Sequence, residues 1–344
     1  MTGSEGAPTD AAADLADPDF DKGAKVTGSR AVYRLLERED ERQFVRTPAE
    51  ADADPDEVDV VIHMGCHSIV TPHIIRATVD VIEALGYSAV AIGGFNNCCG
   101  MMDLKAGDVE RARQVDANRF RNMGHFSPEF AIMECTACHA KTVETSLEHQ
   151  SPAFEVVSMI EFLNDHADEL AGQATTSDPA TIALHDHYDE HRWMPDEQAA
   201  YARELLGSLP GVEVVEMEHS RDDRLPCSFL SDPSRYPYDD LNTRIYEECV
   251  AAGADTLVTF WHACNRSLAL EEAAFPVTVR NYATFVGERL GRSYRDTYKQ
   301  YVHMGLDGEI DRIVADARPV FEANGIAEDE ARRIVRTHFA PGAE

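Results

Sequence analysis

Residues 88–102 read SAVAIGGFNNCCGMM, a short apolar run that leads into two adjacent cysteines and a glycine. An uninterrupted run of small and β-branched residues is typical of a parallel strand that is buried on both faces. The pair Cys98-Cys99 then lies in the loop where this strand ends, and Gly100 allows a tight turn after it. Because ligands bind at the carboxyl ends of the strands in open α/β sheets, this loop is the first candidate for a functional site.

Three further cysteines occupy similar positions at the ends of predicted strands. Cys66 follows the apolar run VDVVIHMG, and Cys135 ends the run EFAIMEC. Cys138 lies one helical turn beyond Cys135, so both thiols can face the same point. The sequence therefore predicts that five thiols converge from three loops, namely Cys66, Cys98, Cys99, Cys135 and Cys138.

The order of apolar runs and helical segments occurs twice, which indicates an internal duplication. TIALHDHY in the second half matches VVIHMGCH in the first, and TLVTFWHACNRSL matches AIMECTACHAKTV. Strands that alternate with helices predict a parallel sheet flanked by helices in each copy. The expected fold class is therefore α/β, with two tandem duplicated units followed by C-terminal helices.

The predicted boundaries follow from this repeat and from the composition of the chain ends. Residues 1–56 are rich in Ala, Asp, Glu and Gly, which predicts an acidic, mostly disordered tail with one short helix near Arg30–Val45. The first unit is expected at 57–172, the second at 178–292 and the C-terminal helices at 293–344. Apolar spacing predicts helices at Pro72–Leu85, Asp103–Met123, Pro195–Leu209 and Tyr238–Ala252.

The composition describes a folded, acidic chain with little lysine. It has 344 residues, 44% of them hydrophobic, and a formal net charge of -31. Only five of its 31 basic residues are Lys, a pattern that predicts a protein from a salt-loving microbe, where concentrated salt screens the repulsion. Such a surface repels nucleic acid. The chain has neither a signal sequence nor a long apolar run, so it is expected to be cytoplasmic and not inserted in a membrane.

Three kinds of chemistry are open for the first copy on its residues alone. Clustered cysteines in the cytoplasm hold metal or perform redox reactions more often than they form disulfide scaffolds. A structural zinc takes four ligands and would leave one of five thiols over, and a dithiol switch would use only Cys135 and Cys138. An iron–sulfur cluster also suits thiolates, although the compact CxxCxxCxxxC spacing of ferredoxins is absent.

The combination of Cys66, Cys98-Cys99-Gly100 and Cys135-Thr-Ala-Cys138 resembles the cysteine-rich CCG domain of heterodisulfide reductases of the B type. Similar domains occur in the iron–sulfur subunits of glycolate, lactate and anaerobic glycerol-3-phosphate dehydrogenases, and in an unusual class of succinate dehydrogenases. The resemblance covers about residues 57–292, including the tandem arrangement. It implies a non-cubane [4Fe-4S] cluster that is held by all five cysteines.

The resemblance also implies a function and partners. The chain would be an oxidoreductase subunit that reduces a small disulfide or a related organic acceptor. No GxGxxG motif follows a strand, so no nucleotide cofactor is expected, and electrons would come from a ferredoxin-like iron–sulfur subunit or a flavoprotein subunit. Such partners could also associate the chain with a membrane complex. Two alternatives are an electron-transfer subunit of a 2-hydroxy-acid dehydrogenase and a zinc-stabilised, non-catalytic scaffold.

The second copy departs from the cysteine pattern. Tyr188 stands in the place of Cys66, Pro226-Cys227-Ser228 in the place of the CCG loop, and Trp261 in the place of Cys135. Only two thiols remain, too few for a second cluster of this kind. One open role is a zinc site, and another is a substrate or proton-donor pocket that faces the first copy; the third is a purely structural copy.

The candidate residues for these roles include three histidines. Zinc ligands would be Cys227 and Cys264 with His185, His187 or His262, of which His185 is the first choice, and the pocket would use His187, Tyr188 and His262. Cys249 lies within a predicted helix and is expected to be a buried apolar residue. Three more histidines near the first site are candidates for tuning it: His63, His67 and His73.

Overall fold

The computed structural model describes residues 22–38, 57–186, 196–220, 225–227 and 240–340. Its strands are short and follow the predicted apolar runs, and the central strands of each sheet are the most deeply buried, whereas some edge strands are half-buried. They are β1 Val60–His63, β2 Ala89–Ile92, β3 Phe130–Met133, β4 Glu155–Ser158, β5 Ala180–His185, β6 Val212–Val215, β7 Thr256–Thr259 and β8 Thr278–Asn281.

Within the described ranges these strands form two parallel four-stranded sheets with the same topology. The strand orders are β2-β1-β3-β4 and β6-β5-β7-β8. The register agrees as well, since His63 pairs with Met133 in the first sheet and His185 pairs with Thr259 in the second. The predicted tandem α/β fold is confirmed, and Cys138 and Cys264 occupy equivalent positions beyond β3 and β7.

Helices connect the strands and follow the second sheet. None of the described helices has both the length and the apolar composition needed to cross a membrane. The helices are α1 Lys22–Leu36, α2 Pro72–Ala84, α3 Met101–Lys105, α4 Val109–Gly124, α5 Thr136–Lys141, α6 Leu147–Gln150, α7 Met159–Asp165, α8 Ala167–Gln173, α9 Asp196–Ser208, α10 Leu241–Ala251, α11 His262–Leu268, α12 Tyr282–Arg289, α13 Thr297–Leu306, α14 Ile310–Ala323 and α15 Glu328–Phe339, with a π-helix at Thr142–Ser146.

A continuous apolar core joins the two units. Helix α2 packs against α12, and α7 packs against α9, so helices from both units lie between the two sheets. Ile74 and Leu163 from the first unit belong to the same buried cluster as Leu205 and Phe285 from the second. The two copies therefore have fixed positions relative to each other, which matters because the candidate site lies where they meet.

The prediction of one long helix at Asp103–Met123 is wrong in one respect. The structure divides it into α3 and α4, and it places Gly107 between them with a φ of 75°. Asp108 then caps α4, because its side chain accepts a hydrogen bond of 3.0 Å from the backbone N–H of Arg111. Gly107 therefore ends α3 and Asp108 starts α4, although the apolar residues of the two helices continue with one helical spacing.

The helix predicted near Arg30–Val45 also has different bounds. It spans Lys22–Leu36, and its buried side packs against α14 and α15 and the turn after β1. Arg34 donates a hydrogen bond of 2.9 Å to the carbonyl oxygen of Asn324. The sequence did not indicate this packing because its partners lie near the other end of the chain.

The close contact between α13 and α15 yields a test of the C-terminal packing. A Cβ added at Gly305 would lie 1.6 Å from the carbonyl oxygen of Phe339. We expect Gly305→Ala to destabilise the protein by about 1–3 kcal/mol, because the backbones must separate. Gly172→Ala is the matched control, since it meets nothing within 4 Å in α8. Thermal denaturation should show a lower Tm for the first variant only, and equal Tm values would contradict this packing.

Candidate metal centre

Three neighbouring strands deliver the five cysteines of the first unit to one edge of the sheet. Cys66 follows β1, Cys98 and Cys99 follow β2, and Cys135 follows β3 and precedes α5, which carries Cys138. Strand β1 lies between β2 and β3, so the three loops start side by side. The structure brings together all five residues that the sequence predicts for this site.

The five thiols form an unbroken series of neighbours. Hydrogen bonds link Cys66 to Cys98, Cys98 to Cys99, Cys99 to Cys138 and Cys138 to Cys135. Four of these residues are buried, whereas Cys66 is half-buried. The site therefore has one side, at Cys66, that is nearer to solvent than the rest.

The thiols cannot all ionise together in this space. The Cys98 thiol donates to Cys66 and lowers its pKa to about 6, and hydrogen bonds from Cys138 and Cys98 hold the pKa of Cys99 well below its ordinary value. The donors Cys98 and Cys138 have raised pKa values for the same reason. Cys66 and Cys99 are thus the members of the set that ionise most easily, and a metal cation would favour the thiolate form of their neighbours as well.

Glycines make the close approach of the loops possible. A Cβ built at Gly65 would lie 3.2 Å from Cβ of Cys135 and 3.5 Å from Sγ of Cys138. Gly100 has a φ of 84°, and its Cβ would lie 2.6 Å from the carbonyl oxygen of Ala112 in α4. The conformation and the contact both exclude larger side chains at Gly100, which explains the glycine after the paired cysteines.

The half-buried side of the site is lined by both units. Nδ1 of His67 lies 3.2 Å from Sγ of Cys66, and Sδ of Met102 lies 3.9 Å from the same atom. His262 at the start of α11 is buried, and burial together with the nearby charges of Arg266 and His67 holds its pKa well below its ordinary value. His262 is thus a neutral imidazole near pH 7.

The other two histidines proposed for tuning have polar partners within the protein. Nε2 of His63 lies 2.7 Å from the carbonyl oxygen of Asn97, and burial, assisted by Arg119, lowers the pKa of His63 to about 4. Nε2 of His73 lies 3.3 Å from Asp296, and burial lowers its pKa. Of these two, His63 is the one that contacts the loop before the paired cysteines.

A second group of candidate ligands lies at the equivalent edge of the second sheet. His185 ends β5, Cys264 lies in α11, and Cys227 comes from the connecting loop. One potential ligand atom from each lies within 4.8 Å of the others, and all three residues are buried. Sγ of Cys227 is 3.3 Å from Sγ of Cys264, and burial and this contact raise the pKa of Cys264 well above its ordinary value.

The structure thus assembles the predicted trio His185, Cys227 and Cys264. The two remaining candidates, His187 and Tyr188, lie outside the described residues. The two groups of cysteines share one buried cluster, because Cys99, Cys135 and Cys138 pack with Trp261 and Cys264.

Cys249 belongs to neither group of potential ligands, although it lies in the same buried apolar cluster. It is fully buried in α10, and burial followed by the charge of Asp255 raises its pKa to about 12. A thiol that stays protonated among apolar neighbours is a packing residue, in agreement with the sequence-based interpretation.

Sequence reasoning missed two sets of buried polar groups beside the first site. Glu134 immediately precedes Cys135, and burial raises the pKa of Glu134 to about 8. Arg119 and Asp116 of α4 are buried with Lys141 of α5. Lys141, one of only five lysines, lies three residues after Cys138, and this was the one hint in the sequence of a buried charge near the site. The hint is weak because a charged residue on a helix is usually exposed.

The match to a known family coincides with this geometry. Residues 60–141 match the CCG family, described as a cysteine-rich domain. The match begins at the first residue of β1 and ends at the last residue of α5, so it contains all five converging cysteines. No curated protein matches the chain. Over residues 60–141, the part that carries all five converging thiols, this chain is thus similar to the CCG family of cysteine-rich domains.

Proposed function

We propose that the chain is an iron–sulfur oxidoreductase subunit of the heterodisulfide-reductase B type. The unbroken series of five thiols between Cys66 and Cys135 carries this proposal. CCG domains are found in iron–sulfur oxidoreductase subunits, which supports the same class of function. The ligands of a non-cubane [4Fe-4S] cluster would be Cys66, Cys98, Cys99, Cys135 and Cys138.

The chemistry of the donor set fits such a cluster better than it fits zinc. Five soft sulfur donors exceed the four positions of a structural zinc site. The opposite pKa shifts of the neighbouring Cys98 and Cys99 support a set of thiols that compete for negative charge, which bound iron would neutralise. The surroundings are apolar and largely closed to water, a further condition that tunes iron–sulfur sites.

The substrate is proposed to approach at Cys66, where the site is least buried. When bound, an iron–sulfur cluster supplies single electrons and a soft surface that stabilises a departing thiolate. Reduction of one disulfide consumes two electrons and two protons, and it yields two thiols. His67 lies on this side, with Nδ1 3.2 Å from Sγ of Cys66, and it is placed to pass a proton to a leaving thiolate. The neutral His262 can orient a polar group of the substrate by a hydrogen bond.

Electrons are proposed to come from a partner, either a ferredoxin-like iron–sulfur subunit or a flavoprotein subunit. The sequence contains neither the ferredoxin spacing of cysteines nor a GxGxxG motif, so this chain has no recognisable second redox group of its own. The partner would deliver electrons one at a time, and the five cysteines would hold the group that accepts them.

We further propose that His185, Cys227 and Cys264 hold zinc. A thiolate pair with one imidazole is a common zinc donor set, and three protein ligands leave a position for water or a fourth residue. Burial of all three side chains within ligand distance of one another supports this proposal. Its role would be to fix the loop of Cys227 against α11, on the wall of the first site.

Cys99 occupies the middle of the thiol series, so its removal tests the main proposal. We expect Cys99→Ala to lose most of the bound iron and the reduction of a small disulfide with a low-potential dye as donor. Cys249→Ala is the control, because it removes an equally buried thiol that lies in the same apolar cluster but is not one of the five proposed ligands. Iron per chain and turnover should be measured after anaerobic purification. A wild-type chain that holds iron but reduces no disulfide would instead support the electron-transfer alternative.

The glycine of the CCG loop provides a second test. Gly100→Ala should lose more than half of the bound iron, because its Cβ would force the loop away from Ala112. Gly107→Ala is the matched control, since it has a similar positive φ but nothing within 4 Å. Both variants carry a conformational cost of about 1–2 kcal/mol. Equal iron content in the two variants would show that the loop tolerates displacement.

Zinc content tests the proposal for the second unit. We expect His185→Ala and Cys264→Ser to lose zinc while they retain iron. His219→Ala is the control, because His219 belongs to another potential trio, with Glu218 and Glu248, that is more exposed. Metal analysis of the three purified variants measures both metals at once. If His185→Ala and Cys264→Ser keep their zinc, the metal is bound at another site and the proposal is contradicted.

A further inference from the structure

A buried ionic network lies directly behind the thiols of the first unit. Arg119 is 0% exposed, and its Nη2 donates to Oδ1 of Asp116 at 2.6 Å. Nζ of Lys141 donates to Oδ2 of the same carboxylate at 2.8 Å. One carboxylate thus faces two cations, and all three side chains are removed from water.

The network is connected to the backbone that carries the thiols. Nη1 of Arg119 donates to Oγ1 of Thr142 at 2.9 Å, and that hydroxyl donates to the carbonyl oxygen of Cys138 at 2.6 Å. Lys141 is the last residue of the helix that carries Cys138. Thr142 thus joins the buried guanidinium of Arg119 to the backbone of Cys138, and the charges of Arg119 and Lys141 also act on Cys99.

Arg119 receives only part of the compensation that a buried cation requires. It shares Asp116 with Lys141, its Nη1 meets a neutral hydroxyl, and its Nε has no hydrogen-bond partner in the described part of the chain. Burying an ion costs several kcal/mol unless opposite charge is close. The thiols next to it are the groups that can supply negative charge, so the network matches an anionic, thiolate-held group.

We propose that Arg119 is a positioning residue that sets the reduction potential of the group held by the five cysteines, and that Asp116 acts on the potential in the opposite direction. This inference rests on the proposed iron–sulfur function. Reduction adds negative charge to the cluster, and a fixed positive charge nearby stabilises the reduced state. The low polarity of the site preserves the effect, since water does not screen the charges there.

The signs of the two effects distinguish electrostatics from damage to the fold. Loss of the positive charge in Arg119→Gln should lower the potential, whereas loss of the negative charge in Asp116→Asn should raise it. Arg119→Lys keeps the charge and should restore most of the wild-type value. Arg121→Gln is the matched control, because it removes the same charge from an exposed position of the same helix.

An anaerobic redox titration of the iron-loaded protein, followed by the absorbance of the cluster, measures these shifts. At a fixed applied potential, we expect Arg119→Gln to decrease the ratio of reduced to oxidised protein at least tenfold. For one electron this corresponds to a shift of about 59 mV. Asp116→Asn should increase the ratio to a similar extent, and Arg121→Gln should change it less than twofold.

Two outcomes would overturn the inference, and they can be told apart. Iron-loaded variants with unchanged potentials, or shifts of the same sign in Arg119→Gln and Asp116→Asn, would overturn the role of the network alone. A wild-type chain that holds no iron would overturn the proposed function and this inference with it. If Arg119→Gln does not fold, the reduction potential of Asp116→Asn is the deciding measurement. A potential that is equal to the wild-type value or lower contradicts the proposal.

Discussion

The crowding of five sulfur atoms at one edge of a parallel sheet is the constraint on which the rest of the structure depends. Adjacent strands lie about 4.8 Å apart, so loops that leave β1, β2 and β3 begin within reach of one another. Glycine backbones at Gly65 and Gly100 then allow the loops to approach closely. The thiols respond by sharing protons, and Arg119 and Lys141 place positive charge where the thiolates form. Geometry and charge therefore both favour thiolates at this edge of the sheet, and the thiolate is the form in which cysteine binds a metal.

The second unit supports the first by shape more than by chemistry. It repeats the sheet order and the register, but it replaces most of the cysteines. Its α11 presents Trp261 and Cys264 to the apolar cluster around Cys135 and Cys138, and this wall shields the thiols from water. Cys66 remains half-buried. The second copy thus covers the side of the site at Cys135 and Cys138, whereas the side at Cys66 stays partly open.

Local patterns predicted the fold and the grouping of the cysteines, because the relevant information is periodic and lies close in sequence. Buried parallel strands appear as apolar runs, and a ligand at the end of such a run has a known position in the sheet. The repeat also placed His185, Cys227 and Cys264 among the candidate ligands of the second unit, although it left the choice of histidine open. The network of Asp116, Arg119 and Lys141 could not be predicted, since charges at helical spacing normally indicate an exposed face. Only tertiary packing buries them.

The loss of cysteines from the second unit has a consequence for biosynthesis. Its sheet has the same strand order and register as the first, although it has no full set of thiols. The pairing of the strands therefore does not depend on the five thiols, and both sheets can form during synthesis by the same backbone contacts. In the first unit the half-buried Cys66 then remains the member of the thiol set that is nearest to solvent. The asymmetry of the duplication thus separates the strand pairing, which both copies share, from the full set of thiols, which only the first copy carries.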